Sequence, residues 1–307
     1  MKKRFFCLAL ALFLLTACTP PAEAPAAEAA SFTDDLGRSV TIAEPKCVAA
    51  LGVSLADLWQ LAGGEVAVTT ADAIDEPRLG LDGAVNAGSL KTPDAEVILA
   101  SGADLVLLSG AISGQVQLAE TLRRAGIPCA VFDVEHFEDY LRVLGICTAI
   151  TGREDLYEKN GLAVSERVNT VIENAKTQDS PSVLLIRAFS TGAKAKNSEN
   201  NMTGAMLRDL GCRNIADSES GLLEDLSMEK ILLEDPDFIF VTTMGGADEA
   251  LAALAEDLQS DPAWADLRAV REGRYVVLDT ELFHQKPNAR WGESYEILFE
   301  ILYGAAR

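Results

Sequence analysis

Two short runs of this sequence concentrate side chains suited to holding anionic oxygen. Arg187 opens a polar, glycine-containing stretch that continues through Ser190, Thr191, Lys194, Lys196 and Asn197 to Asn201. Further on, Phe283, His284, Lys286, Asn288, Arg290 and Trp291 place two rings, two cations, an amide and an imidazole close together. Guanidinium and ammonium groups make charge-assisted hydrogen bonds to anions. Aromatic faces add contact area beside them. The mixture suits a large, flat, anionic small molecule in a cleft. It also stands against its background, because the chain has a formal charge of −21. A surface this acidic repels nucleic acid and anionic lipid.

Each residue has a plainer role beside the chemical one. Trp291 can cap the last helix against the core, and His284 can hydrogen-bond a carboxylate or cap a loop instead of coordinating iron. Ser54, Ser89 and Ser109 are weaker candidates from the first half, and the Ser54 hydroxyl can serve as a helix N-cap. His136 and His284 are the two histidines, too distant in sequence to form a local metal motif. A free transition-metal site is therefore disfavoured, and no resident metal or cofactor is expected. Cys47, Cys129, Cys147 and Cys212 lack CxxC spacing and read as small buried hydrophobes. No G-x-S-x-G, H-E-x-x-H, P-loop or GxGxxG is present. An enzyme is not expected.

The elements that must position these residues repeat. Glu96-Val-Ile-Leu leads to Asp104 and an apolar run, and Glu229-Lys-Ile-Leu leads to Asp237 and another. Each copy reads as a short helix, a turn and a strand buried on both faces. Leu122 to Asp133 echoes Leu267 to Asp279, and Leu58 to Gly63 echoes Met206 to Gly211. The expected fold class is α/β, two Rossmann-like lobes joined by a single long helix. The boundaries are 34–135 for the N-terminal lobe, 136–177 for connecting helices and 178–307 for the C-terminal lobe. Ligand-bearing loops should leave the carboxyl ends of the strands.

Residues 1–17 read as a signal peptide. Lys2, Lys3 and Arg4 precede an apolar run of eleven residues, too short to span a bilayer. Removing those three cations takes the formal charge to about −24. Leu15-Thr16-Ala17-Cys18 follows, then a Pro-, Ala- and Glu-rich stretch without an apolar run. Residues 18–33 read as a lipidated cysteine, Cys18, and a flexible linker.

Taken together, the chain resembles the class III periplasmic binding proteins of ABC importers, which handle iron–siderophore complexes, haem and cobalamin. The likeness is carried by Asp35-Leu-Gly-Arg-Ser-Val-Thr-Ile, both Glu-x-Ile-Leu…Asp segments, Leu122-Arg-Arg-Ala-Gly-Ile-Pro and Ile150-Thr-Gly-Arg-Glu. A further stretch runs from Ser260-Asp-Pro-Ala-Trp to Arg274. The resemblance spans residues 32–303 and implies a cleft receptor with small hinge motion. It implies a small-molecule metal chelate as cargo, a ferric siderophore first and haem or cobalamin next. It also implies an ABC permease dimer as partner, with Glu96 and Glu229 docking on its arginines, and a lipid-anchored monomer on the extracytoplasmic face. A surface haem scavenger acting without a transporter is the alternative of another class.

Overall fold

Apolar runs bounded by turn residues become strands whose alternate side chains feed two different cores. The computed structural model describes residues 29–304. The signal peptide, Cys18 and linker residues 19–28 lie outside the described residues, while Ala30–Thr33, expected as linker, form a strand. In the first lobe, β1 (Ala30–Thr33) and β2 (Ser39–Ile42) form an antiparallel hairpin. Then β3 (Val48–Ala50), β4 (Val68–Thr69), β5 (Val85–Asn86), β6 (Leu105–Ser109) and β7 (Cys129–Phe132) form a parallel sheet ordered β5-β4-β3-β6-β7. In the second lobe, β8 (Ser182–Phe189), β9 (Gly192–Lys196), β10 (Arg213–Asn214), β11 (Phe238–Met244) and β12 (Tyr275–Val277) give the order β10-β8-β11-β12. There β9 pairs antiparallel with β8.

Without β5 and β9 the two sheets have the same order, as the internal repeat implies. The repeated aspartates do the same work in each. Asp104 accepts from the backbone N–H of Lys46 (2.7 Å) and Cys47 (3.0 Å), at the start of β3. Asp237 accepts from the backbone N–H (2.8 Å) and hydroxyl (2.9 Å) of Ser182, the first residue of β8. Each carboxylate thus fixes the register of its strand against the neighbour that opens the lobe. The echoed glycines Gly63 and Gly211 take φ of 86° and 85°, a conformation a Cβ would strain.

Alternation along the strands sorts the core. Leu105, Leu107, Val183, Leu185, Phe238 and Phe240 enter one apolar cluster that runs from the first sheet, through the linking helices, to the second. Val106, Leu108 and Val131 face outward into a separate cluster of the first lobe. Leu184, Ile186, Ile239 and Val241 do so in the second.

The link is helical, a first helix followed by a long one, within the expected connecting segment 136–177. Phe137–Thr151 ends at Gly152, left-handed at φ 68°. A second helical run then covers 154–175 and includes a π-helical turn, Glu158–Leu162. It spans roughly 33 Å at ~1.5 Å per residue. At the π turn the Asn160 carbonyl accepts from the Tyr140 hydroxyl (2.6 Å), and its side-chain amide donates to the Leu61 carbonyl (2.8 Å). Insertion of a residue into the helix ladder turns these groups towards the first lobe. Helical periodicity alone does not reveal such a turn.

The polar stretch 187–201 is not a loop but largely a β-hairpin. Ser190 and Thr191 form its tip, and Gly192 at φ 139° makes the reversal. Along this strand Gly192 and Ala195 are buried and Lys194 is exposed, so its charged residues conceal the strand from a reading by alternation. Among the described residues the cysteines are free: Cys129, Cys147 and Cys212 are buried, Cys47 partly so. Burial pushes each of the three buried thiols up to about 12. No helix among the described residues is long and apolar enough to cross a membrane.

Candidate functional site

A cavity of about 590 Å³ opens where the carboxyl ends of strands from both lobes face each other. Leu51 after β3, Ser109 at the end of β6 and Phe132 at the end of β7 line it from the first lobe. Gly245 after β11, Thr280 after β12 and the segment His284–Lys286 line it from the second, together with Asn288. Parallel strands leave their loops at one end, so two such sheets produce a cleft of this kind. Aliphatic side chains such as Leu55, Leu58, Leu90 and Ile112 make up much of the wall, with a few polar groups set in it.

Of the residues singled out in the sequence, Ser54, Ser109, His284, Lys286 and Asn288 line this cavity. Ser54 is not an N-cap: it sits at the second position of the helix Val53–Leu61, after Gly52. Its backbone carbonyl accepts from the Asn288 amide (2.9 Å). Lys286 reaches across to Glu135 of the first lobe, 3.5 Å away. Burial holds the Lys286 ammonium below its usual value, and Glu135 only partly offsets this. Burial, then Arg187 and Lys286, bring the His284 imidazole down to about 4. Its Nδ1 is buried without a hydrogen-bond partner.

Arg187 is outside the cavity lining but near enough for its charge to act on both His284 and Lys286. Its own Nε is buried and unpartnered, and burial lowers the guanidinium from its ordinary value. In the hairpin register Arg187 stands opposite Lys194. Burial, then Arg187 and Lys194, depress Lys196 as well. Like charges directly across a strand pair are unfavourable. Arg187, Lys194, Lys196 and Lys286 therefore form a crowded basic pole around the neutral His284, with Glu135 paired to Lys286 and Asp133 also close to it.

Other candidates have structural work. Asn201 caps the helix Met202–Asp209 by accepting from the Gly204 N–H (3.1 Å), and Asn197 accepts from the Asn200 N–H (3.0 Å). Ser89 accepts from the Thr92 N–H in its own turn (3.2 Å). Ser190 and Thr191 are exposed at the hairpin tip. Phe283 and Trp291 are only 2% and 1% exposed, so they offer the cavity no ring face. Trp291 instead packs on Phe137, with ring centroids 5.6 Å apart. Arg290 is held by Glu293 (2.7 and 2.9 Å) and Glu281 (3.1 Å), and these contacts raise its pKa further. The expected notch thus keeps Arg187, Lys196 and Lys286 together and loses Arg290 to surface ion pairs.

Sequence reasoning missed the acids. Asp72, Asp75, Glu76 and Asp133 all line the cavity. Burial, then Glu135, pushes the Asp133 carboxyl up. Asp72 to Glu76 follow the buried strand β4 directly, the same strand-end signal that marked the basic segments. A search for exceptions to an acidic background passes over acidic residues.

Glu96 and Glu229 are both exposed in the first turns of matching helices, Ala95–Ala100 and Met228–Glu234. Each has an exposed leucine three residues later, Leu99 and Leu232. Residues three apart share a helix face.

Among solved structures, a periplasmic heme binding protein from Pseudomonas aeruginosa is 24% identical, with a TM-score of 0.69 over 86% of this chain and 94% of that one. The periplasmic catecholate-siderophore binding protein VctP from Vibrio cholerae is 17% identical, with a TM-score of 0.72 over 89% and 99%. SirA of Staphylococcus aureus, complexed with staphyloferrin B, is 20% identical, with a TM-score of 0.68 over 89% and 97%. At these identities the likeness establishes the two-lobed α/β fold. A search of curated proteins finds no match. The family model described as periplasmic binding protein matches residues 48–282. That span takes in both lobes and most of the cavity wall, and it is a family of binding proteins, not enzymes. The chain belongs to the periplasmic binding protein family.

Proposed function

We propose that the protein captures an anionic metal chelate, a ferric siderophore first, and delivers it to an ABC permease. The observation that carries this reading is the basic pole: Arg187 opposite Lys194, with Lys196, His284 and Lys286 nearby and the carboxylates Glu135 and Asp133 close to Lys286. Such a cluster is costly when empty and favourable once an anion enters. The cavity volume, about 590 Å³, fits a chelate of drug-like size. Structural neighbours named for catecholate-siderophore binding and for a staphyloferrin B complex point the same way.

A second reading is favoured by one atom. The unpartnered His284 Nδ1 belongs to a ring held neutral, the form that ligates haem iron. The Pseudomonas heme binding protein is a neighbour in fold. Delivery would use the matching faces around Glu96 and Glu229, where carboxylates can pair bidentately with permease arginines. Cys18 would hold the protein at the extracytoplasmic face of the membrane.

A thermal-shift screen of the chain from residue 19 onward against ferric siderophores, haem and cobalamin tests the reading. A ligand at 100 times its Kd adds ~2.7 kcal/mol of stability. Absence of any shift across the three classes defeats it.

A further inference from the structure

The cavity has a second pole. On the first-lobe side Asp72, Asp75 and Glu76 line the wall. Asp57 sits next to them through Arg78, whose guanidinium pairs with Asp57 (3.2 Å) and Glu76 (3.7 Å). Of these four carboxylates, Asp57 and Glu76 share the Arg78 guanidinium, and among the described residues no cation pairs with Asp72 or Asp75. The acids alone would say little, but Asn288 adds an independent observation. It is 1% exposed and lines the cavity. Its Nδ2 donates to the Ser54 carbonyl and to Asp57, which fixes the amide orientation. Its Oδ1 is left buried with no partner, and so is Oδ1 of Asp72. A buried acceptor without a donor costs about 1–3 kcal/mol. This end of the cavity therefore calls for hydrogen-bond donors carrying positive charge.

An inorganic cation does not fit that demand. Among the described residues no group of three or more His, Cys, Asp or Glu converges on a point that could hold a metal ion. A pendant ammonium does fit, because it brings several N–H donors and tolerates dispersed acceptors.

We infer that the ligand is bipolar: a chelate whose anionic part lies against His284 and Lys286 and whose protonated amine arm lies against Asp72, Asp75, Glu76 and the Asn288 carbonyl. This rests on the chelate reading above and narrows it to amine-bearing chelates. Opposite poles in one cavity also fix which way round the ligand enters, since a reversed ligand meets like charge at both ends.

The test isolates the amine pole with ferrioxamine B, a ferric trihydroxamate whose core is neutral and whose one free ammonium carries the net charge, and its N-acetyl derivative, which differs only at that arm. Affinities are measured by intrinsic fluorescence quenching for the wild type and for the combined Asp72→Asn, Asp75→Asn, Glu76→Gln variant. The expected result is a preference of about tenfold or more for the amine form in the wild type, falling towards one in the variant. A ratio taken within one protein cancels any general loss of fold. A ferric tris-catecholate, which lacks an amine, is run alongside. If it or the acetylated probe binds while the amine form has no advantage, or the advantage survives the triple substitution, the inference is wrong and the chelate reading stands. If none of the three ferric chelates binds, both fall together.

Discussion

Asn288 donates one hydrogen bond to the Ser54 carbonyl (2.9 Å) and another to the Asp57 carboxylate (2.8 Å), residues more than 200 positions earlier in the chain. It does so from a left-handed backbone, φ 49°, which asparagine adopts more readily than most residues. Asn288→Ala removes both bonds and leaves a Cβ in a strained conformation. The expected loss is about 2–4 kcal/mol of stability in urea denaturation. A change below about 0.5 kcal/mol would mean that the clasp contributes nothing measurable.

The basic pole predicts a division among cations. Arg187→Ala and Lys286→Ala should each weaken binding of the best ferric chelate by about 10–100-fold, as expected for loss of a charge-assisted hydrogen bond. Arg290→Ala should change it less than about threefold, because its guanidinium is engaged by Glu281 and Glu293. Titration calorimetry separates the two cases, and equal effects at all three positions would dissolve the pole.

A pH dependence follows from His284. Its folded pKa is lowered from 6.5 to about 4, so the unfolded chain binds the proton more readily. The neutral ring's contribution is complete above about pH 6.5 and is lost as pH falls towards 4. Wild-type Tm should therefore drop more steeply across that interval than that of His284→Gln. Parallel curves would show that the ring is not held neutral.

Docking and capture are separable. Glu96→Ala together with Glu229→Ala should abolish chelate uptake by cells while leaving the Kd of the purified protein unchanged, since both side chains are exposed and outside the cavity lining. Retained uptake would favour a scavenger that needs no permease.

Much of the frame was legible because its signals are local and physical. The buried strands, the Glu-x-Ile-Leu…Asp repeat and the left-handed glycines Gly63 and Gly211 follow from alternation, helix ends and backbone sterics. The site was less legible. Side-chain type marks Trp291 and Phe283 as ligand platforms, yet burial against Phe137 and the neighbouring helices claims them. Arg290 is drawn off by Glu281 and Glu293, one of them nine residues away. The 187–201 stretch hid its strand under charge, and Asp72 to Glu76 hid under an acidic average. Tertiary context decided each of these.

One apolar cluster runs unbroken from the first sheet through the linking helices to the second. Calorimetry should accordingly show a single endotherm, and neither half should survive as a separately expressed fragment. Solution scattering should give nearly the same radius of gyration for empty and loaded protein. If scattering bears this out, a transporter meeting such a molecule would have to tell full from empty by the rim of the cavity.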